Sequence, residues 1–325
     1  MKDIVIIANF VAGLQGRDNN RFTYLATLLS KECKVELIAS SFNHGEKKKR
    51  ESIADYPFKV TLLDEPGYSK NICLKRFWSH YIWGRNVFSY LKKRTKPDVI
   101  YCAVPSLTAP ALVSDYCKKE NIRFIIDVQD LWPEAFKMVF NIPIISNLIF
   151  YPLARKADEI YKTASALVSV SETYLNRARR VNGRAAAEVV FLGADRQHFD
   201  GQIRKAKRDH DTIRVVYVGS LEKSYDLTTA IQAVSQCENV QLVVIGDGSR
   251  RTELERYAES CNANCMFTGY LPYGEMISGM SECDIAINPI HKGSAGSIIN
   301  KVGDYAMAGL PVINTQESQE YRQLL

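Results

Sequence analysis

The segment from Gly293 to Pro311 offers the most specific chemistry in the chain. Its small polar start, which includes Gly296 and Ser297, can open a helix whose first backbone N–H groups stay unpaired and point at an anion. Lys301 lies one turn beyond Ser297, so its ammonium can reach the same anion. Asp304 lies one turn further, where a carboxylate can accept hydrogen bonds from ribose hydroxyls. The spacing predicts a nucleoside diphosphate site, although an ordinary capped helix with a solvent-facing Lys and Asp fits it equally well.

Two further glycine loops follow predicted strands. The first runs from Gly219 through Ser220 to Lys223, where the glycine permits close backbone approach and the lysine supplies positive charge. The second is Gly246-Asp-Gly248. Each loop alone is a weak signal, because a strand followed by glycine is common in α/β proteins. Since the chain lacks a GxGxxG fingerprint, an NAD-linked oxidoreductase is disfavoured.

Short apolar runs alternate with helical patterns along the whole chain, which is typical of βα units on a parallel sheet. The pattern predicts an α/β protein with two tandem Rossmann-like domains whose parallel sheets face each other across a cleft. A polar stretch between Gly193 and Thr212 reads as the connection, and we place the domains at 1–195 and 196–325. Strands are expected at Asp3 to Ala8, Val35 to Ala39, Phe58 to Leu62, Val99 to Cys102, Phe124 to Asp127, Leu167 to Val170, Val189 to Phe191, Ile213 to Val218, Val240 to Ile245, Met266 to Thr268, Ile285 to Asn288 and Val312 to Ile313.

Composition narrows the cellular setting. The eight cysteines form no CxxC pair, which suits a reducing cytosol, and no apolar run is long enough to span a membrane. Residues 1–195 hold 29 Lys and Arg against 20 Asp and Glu, which gives them a net charge of +9, whereas the whole chain has a net charge of +6. The first domain is therefore expected to meet an anionic partner. The run Lys47 to Arg50 is read as a solvated loop, with a binding patch as the alternative.

A helix rich in aromatic residues, with basic ends, is predicted from Leu74 to Arg94. Trp and Tyr beside Lys and Arg suit the interface of an anionic membrane, whereas a buried core helix is the alternative. This pattern predicts a cytoplasmic protein with peripheral association at the inner face of the membrane.

Four motifs of the second half stand in order and carry a resemblance: Gly219-x-Leu-x-Lys223, Val-Ile-Gly246-Asp-Gly248, Phe-Thr-Gly269-Tyr270-Leu-Pro, and Asp304-Tyr-Ala-Met-Ala-Gly-Leu-Pro-Val. They resemble the retaining GT-B glycosyltransferases of family four. The first half adds Asp127-Val-Gln-Asp130-Leu-Trp132-Pro-Glu, which is similar to capsule, lipopolysaccharide and exopolysaccharide members.

The resemblance implies a glycosyltransferase that moves a sugar with retention from a nucleotide-diphosphate-sugar to a polyprenyl-diphosphate-linked or oligosaccharide acceptor in bacterial surface polysaccharide synthesis. No cofactor and no nucleic acid partner are expected. By position, the resemblance implies that Lys223 and Lys301 bind the donor diphosphate, and both are expected at a surface cleft, where their removal leaves folding intact. It implies further donor contacts at Gly219, Ser220, Gly246, Gly248, Gly269, Tyr270, Gly296, Ser297 and Asp304, and an acceptor side at Gly13, Gly16 and Trp132.

Departures from the family pattern concern the donor and the end of the chain. Ser220 stands where the family usually has Arg, and Gly296 stands where it often has a Glu that contacts the donor sugar. Both changes are expected to shift donor preference. The family usually continues well past the Gly-Leu-Pro-Val strand, so the resemblance implies a second domain that is incomplete at its C-terminus.

The expected mechanism needs no metal ion, because Lys223, Lys301 and the helix start can take over the role that Mg²⁺ plays elsewhere. Asp130 is the carboxylate expected near the acceptor, although a helix N-cap role fits it equally well. Two other functions stay open: a nucleotide-sugar-binding protein without transfer activity, and a GT-B nucleotide-sugar epimerase.

Overall fold

The computed structural model describes residues 1–15, 20–71, 73–139, 145–203, 211–291 and 300–324. The chain divides into two compact units, unit 1 from Met1 to Phe191 and unit 2 from Leu192 to Leu325. Unit 1 comprises β1 (Asp3–Ala8), α1 (Arg21–Leu29), β2 (Lys34–Ser40), β3 (Phe42–Asn43), β4 (Lys48–Lys49), β5 (Lys59–Leu63), α2 (Leu74–Lys93), β6 (Val99–Val104), α3 (Thr108–Glu120), β7 (Arg123–Val128), α4 (Glu134–Val139), α5 (Ile145–Thr163), β8 (Ala166–Ser169), α6 (Glu172–Arg179) and β9 (Ala186–Val189).

The main sheet of unit 1 is parallel throughout, as its βα alternation predicts. Within the described residues its strand order is β5-β2-β1-β6-β7-β8-β9. The central strand β1 is apolar on both faces, and its residues from Ile4 to Ala8 are all buried. The carboxyl ends of β1, β2, β5 and β7 consequently lie at one edge of the sheet, where open α/β sheets bind ligands.

A buried ion pair joins α1 to the middle of this sheet. The Arg21 guanidinium donates to both carboxylate oxygens of Asp127, at 2.7 and 3.2 Å. Tyr101 donates to the same carboxylate at 2.6 Å, and Arg21 also donates to the carbonyl of Val190 at 2.7 Å. Asp127 is fully buried, so these donors compensate a charge that has no access to water.

Unit 2 comprises α7 (Arg196–Gln202), β10 (Ile213–Val218), α8 (Leu227–Val234), β11 (Val240–Ile245), α9 (Arg251–Ser260), β12 (Cys265–Gly269), α10 (Tyr273–Ser281), β13 (Ile285–Asn288), α11 (Asn300–Met307), β14 (Val312–Asn314) and α12 (Gln319–Leu324). In the described part its sheet is parallel, with strand order β12-β11-β10-β13-β14. Buried apolar side chains cover both faces of this sheet.

The sequence-based expectations hold for most strands, and two differences have physical causes. The strand expected at Val189 to Phe191 is β9 at Ala186–Val189, because pairing of Ala186 with Ala166 on β8 fixes its start. The basic run around Lys48 is not only a solvated loop, because Lys48–Lys49 pairs with Phe42–Asn43 as a short antiparallel hairpin. Of the helices that the structure describes, none has the combined length and hydrophobicity needed to cross a membrane.

Candidate functional site

The loops that follow β10 and β11 are joined through their glycines. The amide of Gly219 donates to the carbonyl of Ile245 at 3.0 Å, and the amide of Leu221 donates to the carbonyl of Asp247 at 3.0 Å. A Cβ on Gly246 would lie 1.9 Å from the Gly219 carbonyl oxygen, and one on Gly248 would lie 2.6 Å from the backbone of Leu221. The space beside Gly246 and Gly248 is therefore occupied by the backbone of the loop that follows β10.

Replacing Gly246 by alanine is expected to lower the free energy of unfolding of unit 2 by at least about 2 kcal/mol, since overlap and a strained φ of 145° act together. Gly201 on α7 is the control, because nothing lies within 4 Å of a Cβ there and alanine favours helix. Thermal unfolding followed by circular dichroism would compare the variants, and equal stability of the two would contradict the steric account.

Lys301 is buried at the start of α11, with 8% of its surface exposed. Its Nζ lies 4.1 Å from the ring centroid of Tyr217 and 3.8 Å from that of Tyr225, so the ammonium sits between two aromatic faces. It has no hydrogen-bond acceptor among the described residues, and a Cβ on Gly219 would lie 2.8 Å from it. Burial lowers the pKa of Lys301 to about 7. This lysine was expected at a surface cleft, whereas the structure buries it beside the rings of Tyr217 and Tyr225.

Asp304 lies one turn further along α11 and is partly buried. Its Oδ1 accepts a hydrogen bond from the Tyr273 hydroxyl at 2.9 Å, and burial raises the pKa of its carboxyl group. The neighbouring Tyr305 fixes the helix, since its hydroxyl accepts from the amide of Val218 at 2.9 Å and donates to the carbonyl of Ile287 at 3.2 Å. Lys301 and Asp304 are thus held at the carboxyl ends of β10 and β13, and the solvent-facing alternative does not apply.

The other unit 2 residues that were predicted to contact a donor are more exposed. Ser220 and Lys223 are exposed, and Tyr270 is 78% exposed just after β12. Gly269 has a φ of 76° and its carbonyl accepts from the amide of Gly246 at 2.9 Å, which places it beside the joined loops. Gly296 and Ser297 lie outside the described residues.

The acceptor-side residues belong to unit 1. Asp130 accepts a hydrogen bond from the Leu131 amide at 2.8 Å and one from the Trp132 indole, and burial raises the pKa of its carboxyl group. Both donors precede α4, which begins at Glu134. Asp130 therefore does not act as the N-cap of that helix. Gly13 forms a turn after β1 with a φ of 66°, and Gly16 lies outside the described residues.

Sequence reasoning missed the tyrosines that shape the donor-side site. Tyr217 is the penultimate residue of β10, Tyr225 follows Lys223, and Tyr273 begins α10, so no single motif unites them. The structure brings the first two around Lys301 and places the third on Asp304. The available signal was one tyrosine near the end of β10 and two more in the segments after β10 and β12, although core packing explains such residues equally well.

The second unit matches a known protein family, and the whole chain resembles solved structures. Residues 199–324 match the family model described as Glycosyl transferases group 1. A search of the curated proteins found no match. Among solved structures, Anabaena HepE in complex with UDP and glucose is similar with a TM-score of 0.65 and 14% identity, covering 100% of this chain and 83% of that one.

Two further solved structures share the architecture. Sucrose-phosphate synthase from Thermosynechococcus elongatus has a TM-score of 0.70 and 15% identity over 97% of this chain and 81% of its own. The lipopolysaccharide outer core galactosyltransferase WaaB in its apo form has a TM-score of 0.59 and 15% identity over 96% and 80%. At such identities the likeness is one of fold. The chain therefore has the GT-B fold of two Rossmann-like domains, and its residues 199–324 carry the sequence pattern of the group 1 glycosyl transferases.

Proposed function

We propose that this protein is a glycosyltransferase that takes a sugar from a nucleotide-diphosphate-sugar donor. The observation that carries the proposal is Lys301, a buried ammonium without an acceptor among the described residues, at the strand ends where α/β sheets bind ligands. A buried charge without a partner is costly, so its retention indicates an anion that arrives with the ligand. The match of residues 199–324 to the group 1 model supports the same function.

The proposed donor group is a nucleoside diphosphate. HepE, which shares the fold, was solved in complex with UDP and glucose. In this chain Asp304 lies one helical turn from Lys301, so a diphosphate bound at Lys301 would bring its neighbouring ribose towards Asp304. During transfer, negative charge develops on the leaving phosphate. A buried cation stabilises that charge more strongly than a solvated lysine does, because the surrounding dielectric constant is lower.

We further propose transfer with retention through front-face attack. The acceptor oxygen bonds to the anomeric carbon as the bond from that carbon to the diphosphate breaks, and the leaving phosphate takes the acceptor proton. No strong base is then required. Asp130 is the proposed carboxylate on the acceptor side, where it would orient the acceptor hydroxyl by accepting its hydrogen bond.

The deciding experiment combines binding and turnover on the full chain. Calorimetric titration with UDP and GDP would identify the nucleotide, and release of that nucleotide from its sugar derivatives would be measured with and without candidate acceptors. A transferase binds the nucleotide and is stimulated by an acceptor. Binding without release would instead support a nucleotide-sugar-binding protein, and turnover to an isomeric nucleotide-sugar without acceptor would support an epimerase.

Replacing Asp304 by alanine is expected to weaken UDP or GDP binding by about ten- to a hundredfold, because a hydrogen bond to a charged group contributes roughly 1.5–3 kcal/mol. Tyr273→Phe is the matched control, because it removes the internal partner of Asp304 and leaves the carboxylate in place. Calorimetry should show nearly unchanged affinity in that control. Equal losses in both variants would mean that Asp304 acts only by holding Tyr273.

Donor turnover is expected to stay within about twofold when EDTA is added, because the Lys301 and Lys223 cations take the charge-neutralising role of a metal ion. Initial rates with EDTA, and with added Mg²⁺ or Mn²⁺, check this prediction. Loss of turnover in EDTA that either ion restores would refute metal independence.

We propose that the acceptor is lipid-linked or an oligosaccharide of a bacterial surface polysaccharide, used at the cytoplasmic face of a membrane. Helix α2 supports this proposal, because its inner face is buried while Leu74, Trp78 and Tyr81 remain exposed. Phe77 is exposed on the same helix, and its ring centroid lies 5.5 Å from that of buried Phe136. Exposed aromatic residues beside lysines are typical of helices that lie at a membrane interface.

A further inference from the structure

A group of nitrogen-bearing side chains lies in unit 1 at the same sheet edge as Asp130. We call it the basic cluster: His44, Lys47, Arg76 and His80. The four residues come from the β3–β4 hairpin and from the amino end of α2, and they surround the ring of Tyr68. Lys47 Nζ is 4.9 Å and Arg76 Cζ 5.6 Å from the centroid of that ring, while His44 and His80 have ring contacts with it at 5.6 and 5.5 Å.

Aromatic side chains pack around the basic cluster. Arg76 lies over the ring of Trp132 at 4.7 Å and over that of Phe10 at 5.6 Å. His80 stacks on Trp132 with a centroid distance of 5.6 Å. The guanidinium is thereby oriented by three rings, and its position depends on elements that follow β1, β5 and β7.

The cluster has an excess of positive charge. Among the described residues, neither Lys47 nor Arg76 has a carboxylate within 4 Å, yet both approach one tyrosine ring. Burial and the neighbouring cations lower the pKa of His44 to about 4 and that of His80 to about 3. The pKa values of Lys47 and Arg76 are lowered by burial as well. A positive charge on one member of the cluster therefore disfavours protonation of its neighbours.

The two nearby carboxylates are already used by other donors. Glu65 accepts from Ser40 at 2.5 Å and from Ser79 at 2.8 Å, while burial raises the pKa of its carboxyl group. Asp130 accepts from the Leu131 amide and the Trp132 indole. Buried nitrogen atoms are left over as a result: Arg76 Nε and His80 Nδ1 have no partner among the described residues, and His80 is only 2% exposed. Unpaired buried polar atoms of this kind are rare and call for a ligand.

On the basis of the transferase function proposed above, we propose that the basic cluster binds an oxyanion group of the acceptor, a phosphate or a carboxylate. Arg76 would donate to it from Nε, since its Nη1 donates to the Asn71 carbonyl at 2.8 Å. Lys47, whose Nζ donates to Asn71 Oδ1 at 2.6 Å, would add a nearby positive charge. The aromatic walls would receive the ring or chain that carries the anion. The acceptor would then be an anionic molecule, recognised in unit 1 independently of the donor.

The test uses tryptophan fluorescence of the full chain, because Trp132 lies against Arg76 and all three tryptophans belong to unit 1. To silence the donor side, titrations are made in the Lys301→Met background. Inorganic pyrophosphate and galacturonate are the two probes, which separate a phosphate from a sugar carboxylate. Saturable quenching by one of them is expected, and Arg76→Gln and Lys47→Gln should each weaken it at least tenfold.

Lys75→Gln is the matched control, since this exposed lysine neighbours Arg76 on α2 and should leave affinity within about twofold. The Lys47 variant keeps the test decisive if Arg76→Gln fails to fold. Absence of saturable binding by both probes, or equal affinities in the Lys47→Gln and Lys75→Gln proteins, would overturn the proposal. Because calorimetry of UDP or GDP with wild type tests the donor side separately, failure of one proposal is distinguishable from failure of the other.

Discussion

Replacing Lys301 by methionine is expected to lower donor turnover and the affinity for UDP or GDP by at least a hundredfold. Methionine matches the length of the lysine stem and fills the space between Tyr217 and Tyr225, but it offers no charge to the diphosphate. A hundredfold loss corresponds to about 2.7 kcal/mol, which lies within the range for hydrogen bonds to charged groups. Calorimetry and initial-rate measurements check both quantities.

The same substitution is expected to stabilise the ligand-free protein. The pKa of Lys301 is about 7 in the folded state against an ordinary value of 10.5, so between these pH values the unfolded chain binds more protons. Stability of the wild type should therefore rise with pH from about 7 to 10.5 through this group, and the penalty is complete below pH 7. Methionine removes a penalty on the order of 2–4 kcal/mol, since the two rings offset part of the desolvation.

Thermal unfolding at several pH values measures this difference between wild type and Lys301→Met. The gap should be largest below pH 7 and close as pH approaches 10.5. Arg256→Met, which removes an exposed cation from α9, is the control and should change neither nucleotide affinity nor stability appreciably. A Lys301→Met protein that is less stable yet binds the nucleotide normally would show that the lysine is a structural group.

Replacing Asp127 by alanine is expected to lower the free energy of unfolding of unit 1 by about 3–5 kcal/mol, because removal of one partner leaves a largely buried charge uncompensated. Arg21 has a side-chain exposure of 13% and would lose both bonds to the carboxylate. The Arg21→Met, Asp127→Leu double variant should recover part of the loss, since apolar groups leave no charge behind.

Urea unfolding followed by tryptophan fluorescence reports on unit 1 alone, because Trp78, Trp83 and Trp132 all belong to it. The exposed pair of Arg155 and Glu159 provides the control, and Arg155→Ala should change the unfolding free energy by no more than about 0.5 kcal/mol. A loss below about 1 kcal/mol in Asp127→Ala would contradict the assigned role of the buried pair.

Local sequence patterns predicted the strands well because each parallel strand is a short apolar run flanked by polar loops. Thus β10 and β11 begin and end at the expected residues. The edge strand β9 differs, since Val190 and Phe191 have high strand propensity but remain 47% and 37% exposed. Pairing with β8 selects Ala186–Val189 instead, and sequence propensity contains no information on that partner.

For the candidate site, the spacing predicted that Lys301 and Asp304 lie one turn apart on a single helix, and both lie on α11. It did not predict burial, which comes from Tyr217 and Tyr225 on a distant strand and loop. The basic cluster was missed for the same reason, because His44 and Arg76 are far apart in sequence and meet only through the order of the sheet. Contacts between remote segments are where local reasoning fails.

The glycine contacts between the loops after β10 and β11 bear on how donor preference can be changed by design. Gly246 and Gly248 have no room for a side chain because the backbone of the other loop occupies it. Neither loop can be exchanged with that of another enzyme while its partner is kept, so both must be transplanted as one block. The side chain of exposed Ser220 lies outside these contacts, so we expect a single substitution there to alter donor preference while both loops keep their backbone contacts.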